Sequence, residues 1–180
     1  MGLELDIVHD VTRRLDALHL PFMLTGSMAM SYYAQPRMTR DIDVVVEVGD
    51  ADVPGLMAAF QSDYYIDADR VREAIRHRSM FNVIHQASAF KIDFVIRKAD
   101  EYRRLEFNRR PRVRIDHFET WIVSPEELIL SKLVWSRQSR SEMQIRDVRS
   151  LLSTPLDATY LEEWAVKLGV ASFLEECRHA

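Results

Sequence analysis

Two carboxylates two residues apart, Asp41 and Asp43, head the run Asp41-Ile42-Asp43-Val44-Val45-Val46-Glu47-Val48. Side chains alternate along a strand, so Ile42, Val44, Val46 and Val48 share one face and Asp41, Asp43, Val45 and Glu47 the other. The apolar row is suited to a core, and the two acids point the same way. Neighbouring carboxylates repel unless a cation or a shared proton relieves them. An Asp-x-Asp of this kind also occurs on solvated strand edges. Its alternative chemistry is that of hard oxygen ligands, which suit Mg²⁺ or Mn²⁺ held by a few carboxylates together with substrate phosphates. A second alternating run, Phe90-Lys91-Ile92-Asp93-Phe94-Val95-Ile96, turns Lys91, Asp93 and Val95 to one side and offers Asp93 as a third carboxylate.

Upstream, the apolar stretch Phe22-Met23-Leu24-Thr25 ends at Gly26-Ser27, and residues 28–33 have helix-compatible composition. Gly26 and Ser27 thus fall where a strand gives way to a helix N-terminus, a place where free backbone N–H groups and the helix dipole favour an anion.

Gly26-Ser27, the Arg-x-Thr-x-Asp-x-Asp run from Arg37 to Asp43, and Asp93 together resemble the signature of the DNA polymerase β-type nucleotidyltransferase superfamily. The similarity is greatest to its small bacterial minimal and abortive-infection toxin-like branches. It is strongest over residues 22–48 and continues to residue 96. The resemblance implies that Gly26 and Ser27 hold nucleotide phosphates, with Arg37 and Thr39 beside them. It also implies that Asp41, Asp43 and Asp93 ligate two Mg²⁺ (or Mn²⁺) ions and carry the catalysis.

Residues 3–18 read as an amphipathic helix leading into Pro21, and residues 51–61 as a helix with an apolar stripe of Val53, Leu56, Met57 and Phe60. Residues 64–66 and 80–85 read as strands around a helix over 69–77. The three-residue connection 86–88 predicts an antiparallel hairpin that carries Asp93 back across the sheet. Between Arg97 and Arg114 eight bases stand against Asp100, Glu101 and Glu106. They suit either a charged edge strand or a platform for polyphosphate or RNA, with Arg110, Arg112 and Arg114 on one strand face. A strand over 117–123 follows.

Ser124-Pro125-Glu126-Glu127 has the order of a capping box and starts a helix. Within its apolar face of Leu128, Ile129, Leu130, Leu133 and Val134 stands Lys132, which either keeps its ammonium in water or turns it to a ligand. The resemblance implies the second, with Lys132 near the nucleotide phosphates and an Arg146-Asp147 pair on the next helix; residues 137–141 read as the loop between. Asp147 on its own would equally suit an exposed helical acid paired with a nearby base. The tail reads as two short helices joined near Gly169.

A chain of 180 residues, 47% of them hydrophobic, supports one core with an appended helical region. A net charge of −4 argues against a nucleic-acid binder held by global charge. The single Cys177 excludes an intrachain disulfide and a cysteine-rich metal site. The six histidines show no zinc-ligand spacing, and no Gly-x-Ser-x-Gly elbow surrounds Ser27. No apolar run approaches the roughly 18 residues of a membrane span, and the acidic start lacks a signal-peptide pattern, so a cytoplasmic location is expected.

The expected architecture is α/β (α+β): a mixed, largely antiparallel sheet flanked by helices, with a nucleotidyltransferase core over 1–123 and a docked helical region over 124–180. The expected activity is transfer of an NMP from an NTP such as ATP to an acceptor hydroxyl or phosphate with loss of pyrophosphate. The acceptor would be tRNA or another RNA engaging the 97–114 patch, or else a small molecule or a protein. A toxin–antitoxin role with an antitoxin partner goes with the resemblance. The competing class is a non-catalytic module of the same fold that binds nucleotide or a partner.

Overall fold

Apolar side chains at every second position make Ile42, Val44 and Val46 one buried row and Ile92, Phe94 and Ile96 another. A computed structural model of the chain describes residues 2–34, 41–139 and 141–179, with positions 138 and 139 by backbone only. In chain order its elements are α1 (Leu3–Ala17), β1 (Phe22–Leu24), α2 (Gly26–Tyr33), β2 (Asp41–Val46), a 3₁₀ turn (Asp50–Asp52), α3 (Val53–Phe60), β3 (Tyr64–Tyr65), α4 (Ala68–His77), β4 (Met80–His85) and β5 (Lys91–Ile96). There follow α5 (Glu101–Asn108), β6 (Arg112–Ile115), β7 (Phe118–Trp121), α6 (Pro125–Ser139), α7 (Glu142–Leu152), α8 (Ala158–Lys167) and α9 (Ala171–His179).

The main sheet has the strand order β1-β2-β5-β4-β3. Every neighbouring pair is antiparallel except β2 and β5, so the sheet is mixed and largely antiparallel, as the sequence predicts. The β4–β5 hairpin closes through residues 86–90, with His85 donating its N–H to the Phe90 carbonyl (2.9 Å). This hairpin returns β5 alongside β2. The parallel register is Asp41↔Lys91, Asp43↔Asp93 and Val45↔Val95.

α1 buries Ile7, Val8, Val11, Thr12 and Leu15. Thr12 meets Thr120 of β7 through their hydroxyls (2.9 Å), a buried polar pair satisfied within the core. Just after β7 an isolated parallel bridge links Ile122 to Leu24 of β1, and the Val123 N–H donates to the Leu24 carbonyl (2.9 Å). Leu128, Ile129, Leu130 and Leu133 of α6 belong to the same buried cluster as the sheet. The helices after residue 124 therefore share the sheet's core.

Local expectations are modified in three places. β2 ends at Val46, leaving Val48 in the following loop. α6 runs on to Ser139, so most of the loop expected over 137–141 is helix. The capping motif is half formed: Ser124 Oγ accepts the Glu127 N–H (3.3 Å). The buried Glu127 carboxylate, however, is turned to the Tyr160 hydroxyl and to Arg109 (3.6 Å), where packing of α8 on α6 outcompetes the reach back to the helix start.

Phe94 of β5 is fully buried. It stacks on Phe81 (5.1 Å between centroids) and meets Phe60 edge-on (5.9 Å). Phe94→Ala is expected to lower the unfolding free energy by about 3–5 kcal/mol through lost burial and a residual cavity, measured by denaturant titration.

Candidate active site

Asp41 and Asp43 lie on one face of β2, and Asp93 stands directly opposite Asp43 on β5. Asp41 is exposed, Asp43 half-buried and Asp93 buried. The Asn82 side-chain amide donates to Asp93 Oδ1 from β4. The Lys91 ammonium lies 3.0 Å from Asp93 Oδ2 and 3.4 Å from Asp41 Oδ1, spanning the two strands. Both oxygens of Asp93 are thus engaged. Lys91, which the sequence pattern places on the acid face without a role, serves as the cation of the cluster.

Burial, together with the charges of Asp93 and Asp41, pushes the Asp43 carboxyl above the usual carboxylate range, and the Lys91 and Lys132 ammonium groups oppose this in part. The hydrogen bond to Asp93 and the two neighbouring negative charges push Lys91 upward, against a smaller effect of burial.

The Gly26-Ser27 turn is tied to this strand. The Thr25 N–H donates to the Asp43 carbonyl (3.0 Å), and Ser27 Oγ donates to the Asp41 carbonyl (3.2 Å). Gly26 has φ +59°, in the left-handed region. A Cβ built on it would stand 2.0 Å from Asp43 Oδ2. Asp43 therefore leaves no space for a side chain at residue 26, and the first turn of α2, whose N–H groups lack helical acceptors, comes directly beside the acids. Arg37 and Thr39 lie outside the described residues.

Lys132 is buried rather than snorkelling. It donates to Asp147 Oδ2 (2.7 Å) and to Gln144 Oε1 (3.1 Å), both on α7. Asp147 is likewise buried. Neither is a solvated helix charge: the crossing of α6 on α7 holds them together, and Lys132 is near enough to Asp43 to influence its protonation.

The basic stretch is largely committed to internal contacts. Arg97 pairs with Glu47, Arg103 with Glu106 (2.8 Å) and Ser131 (2.7 Å), and Arg112 with Glu119 (3.2 Å). Arg109 lies over the Tyr160 ring and Arg110 over Phe107. Arg110 precedes β6, so Arg112 and Arg114 alone share the strand face expected for all three.

Among the described residues no three carboxylate, imidazole or thiolate side chains stand close enough to hold a metal ion as they are. The donor set is nevertheless right in kind for Mg²⁺ or Mn²⁺, with three carboxylates and no sulfur or imidazole. The Lys91 ammonium already lies between two of them. No helix of the described residues is long and apolar enough to cross a membrane.

This sheet, with a Gly-Ser turn packed on paired strand acids, defines a nucleotidyltransferase fold. The solution structure of the antibiotic-resistance factor ANT(2'')-Ia is similar, with a TM-score of 0.62 at 14% identity over 98% of both chains. An antigenic nucleotidyltransferase-like protein from Paracoccidioides brasiliensis gives 0.56 at 17% identity, over 96% of this chain and 90% of that one. The lincosamide antibiotic adenylyltransferase LnuA, lincomycin-bound, gives 0.56 at 12% identity, over 85% and 97%. At such identities the likeness establishes the fold alone. No protein of curated function matches the sequence. The sequence does match the nucleotidyl transferase AbiEii toxin family of type IV toxin–antitoxin systems over residues 11–172, and the chain belongs to that family.

Because the folded state raises the Asp43 pKa, the protein binds more protons at this position folded than unfolded between the two values, so stability falls as pH rises through that window. In metal-free buffer Asp43→Asn is expected to raise the melting temperature at pH 7, and the gain is expected to shrink as pH falls below the folded-state pKa. Thermal melts from pH 3 to pH 8 check this.

Proposed function

We propose that the protein is a metal-dependent nucleotidyltransferase that moves an NMP from an NTP, such as ATP, to an acceptor. The observation that carries this reading is the in-register pairing of Asp43 with Asp93 beside the left-handed Gly26. In this reading Asp41, Asp43 and Asp93 hold Mg²⁺ or Mn²⁺ once Lys91 withdraws. The bound metal would neutralise phosphate charge and lower the pKa of the attacking hydroxyl.

The remaining roles belong to the chain. Backbone N–H groups at Gly26 and Ser27 receive triphosphate oxygens at the start of α2. Lys132, oriented by Asp147 and Gln144, adds positive charge on the side of α6, and preorganised charge of this kind favours the transition state because it needs no rearrangement. Arg37 and Thr39 are assigned to the nucleotide on the resemblance alone. The acceptor oxygen attacks the α-phosphorus, the bond to pyrophosphate breaks, and Asp93 takes the acceptor's proton. Residues 1–123 form the transferase core in this scheme, and residues 124–180 form a helical region that supplies Lys132 and Asp147.

The acceptor we favour is RNA, in keeping with a toxin that a cognate antitoxin restrains, acting in the cytoplasm. A small-molecule acceptor is the other reading, since structurally similar LnuA is a lincosamide antibiotic adenylyltransferase.

The test is incubation with each α-labelled NTP, Mg²⁺ or Mn²⁺, and bacterial extract. Transfer of label with release of pyrophosphate is expected, together with its loss in Asp41→Ala, Asp43→Ala. Nucleotide binding without transfer under any condition would instead identify a non-catalytic module. Metal with NTP is expected to raise the melting temperature, by ligand linkage, and Asp43→Asn to remove that increase.

A further inference from the structure

α6 turns most of its large apolar side chains inward, yet Trp135 is 76% exposed, the most open large apolar side chain among the described residues. It lines a concavity of about 300 Å³ together with Lys98, Arg103, Val134 and Arg137. Among the described residues no carboxylate lines this space, although the chain as a whole carries a net charge of −4. Arg103 is fixed there by Glu106 and Ser131. Lys98 and Arg137 are exposed, and among the described residues neither has a salt-bridge partner. An open indole flanked by two uncompensated cations matches the two parts of a nucleotide, a π-face and a phosphate. The volume lies at the small end of ligand sites. A protein partner would need about 800 Å² per side, far more than five side chains present.

We propose that this concavity binds one unpaired nucleotide of a single-stranded RNA, its base stacked on Trp135 and its phosphates held between Lys98 and Arg137. The proposal rests on the reading of RNA as the acceptor. Trp135 follows Lys132 by three residues, somewhat less than one helical turn and about 4.5 Å along the axis at ~1.5 Å per residue. A strand gripped at Trp135 is therefore held beside the helix that carries Lys132.

Labelled single-stranded RNA hexamers, titrated by fluorescence anisotropy onto the full chain, test this directly. Trp135→Ala is expected to weaken binding roughly 5- to 150-fold, and Trp135→Phe, which keeps a stacking face, to retain most of it. Lys98→Glu with Arg137→Glu is expected to reduce the slope of log affinity against log salt by about 1.4. The same RNA annealed into a duplex, and a nucleoside monophosphate alone, are expected to bind more weakly than the single strand.

Unchanged RNA affinity in both the alanine and the charge-reversed variants would overturn the proposal. A monophosphate binding as tightly as the hexamer would replace it with a free-nucleotide site. Polyglutamate binding that outcompetes RNA and is lost in the same variants would replace it with a protein-docking surface. RNA binding at Trp135 without nucleotidyl transfer would sustain this site and refute the enzyme reading. Label transfer to RNA with binding unaltered in these variants would do the reverse.

Discussion

The parallel pairing of β2 with β5 is the constraint on which the rest depends. It sets Asp43 against Asp93 on the face opposite the apolar rows, so that the packing which buries Ile42, Val44, Ile92 and Phe94 also forces like charges together. A one-residue slip would turn the acids into the core and the apolar rows out of it. The repulsion is relieved locally, by the Lys91 ammonium between the strands and by the Asn82 amide from β4. Burial first, and then the charges of Asp93 and Asp41, still hold the Asp43 carboxyl above the usual carboxylate range. The opposing charge of the cluster is a 40% exposed lysine side chain, which in the proposed reading gives way to a metal without unfolding a strand.

The C-terminal helices answer a different problem, that of holding a cation near the acids while keeping it out of water. Burying an ion pair contributes little net stability, but removing one partner leaves a buried charge and costs about 3–5 kcal/mol. Lys132 and Asp147 on crossing helices therefore lock each other's position. The shared core with the sheet makes that position a property of the whole fold. Gly26 plays the same part at close range: without a Cβ it lets Asp43 lie against the turn.

What the sequence discloses is what is local. Alternation over 41–46 and 91–96, the short connection before residue 91 and the Ser124-Pro125 helix start are all read correctly from neighbours a few residues apart. The Asp-x-Asp spacing likewise places two acids on one face. The partnership of β2 with β5 joins segments some fifty residues apart, and alternation alone does not encode it. Lys91 stands two residues before Asp93 in the sequence but acquires its meaning only from Asp41 across the strand pair. For Lys132 the residues alone leave open whether its ammonium reaches water or a ligand, because nothing in α6 announces Asp147 on α7. The Arg97–Arg114 run shows its charge in the sequence, whereas Glu47 and Tyr160, which meet Arg97 and Arg109, come from distant segments, and Glu119 meets Arg112 from the neighbouring strand β7. Ion pairs with acids engage Arg97, Arg103, Arg109 and Arg112, four of the eight bases.

In the reading proposed above, the carboxylates of Asp41, Asp43 and Asp93 form one metal–nucleotide site, with the Lys91 ammonium standing in the metal's place. Anomalous diffraction from crystals grown with Mn²⁺ and a non-hydrolysable NTP analogue tests it most directly. Manganese peaks coordinated by these three carboxylates, with the Lys91 ammonium withdrawn from Asp93 and the triphosphate against Gly26 and Ser27, are the predicted result. Lys91 still bridging Asp41 and Asp93, with manganese and nucleotide bound elsewhere or not at all, would contradict it.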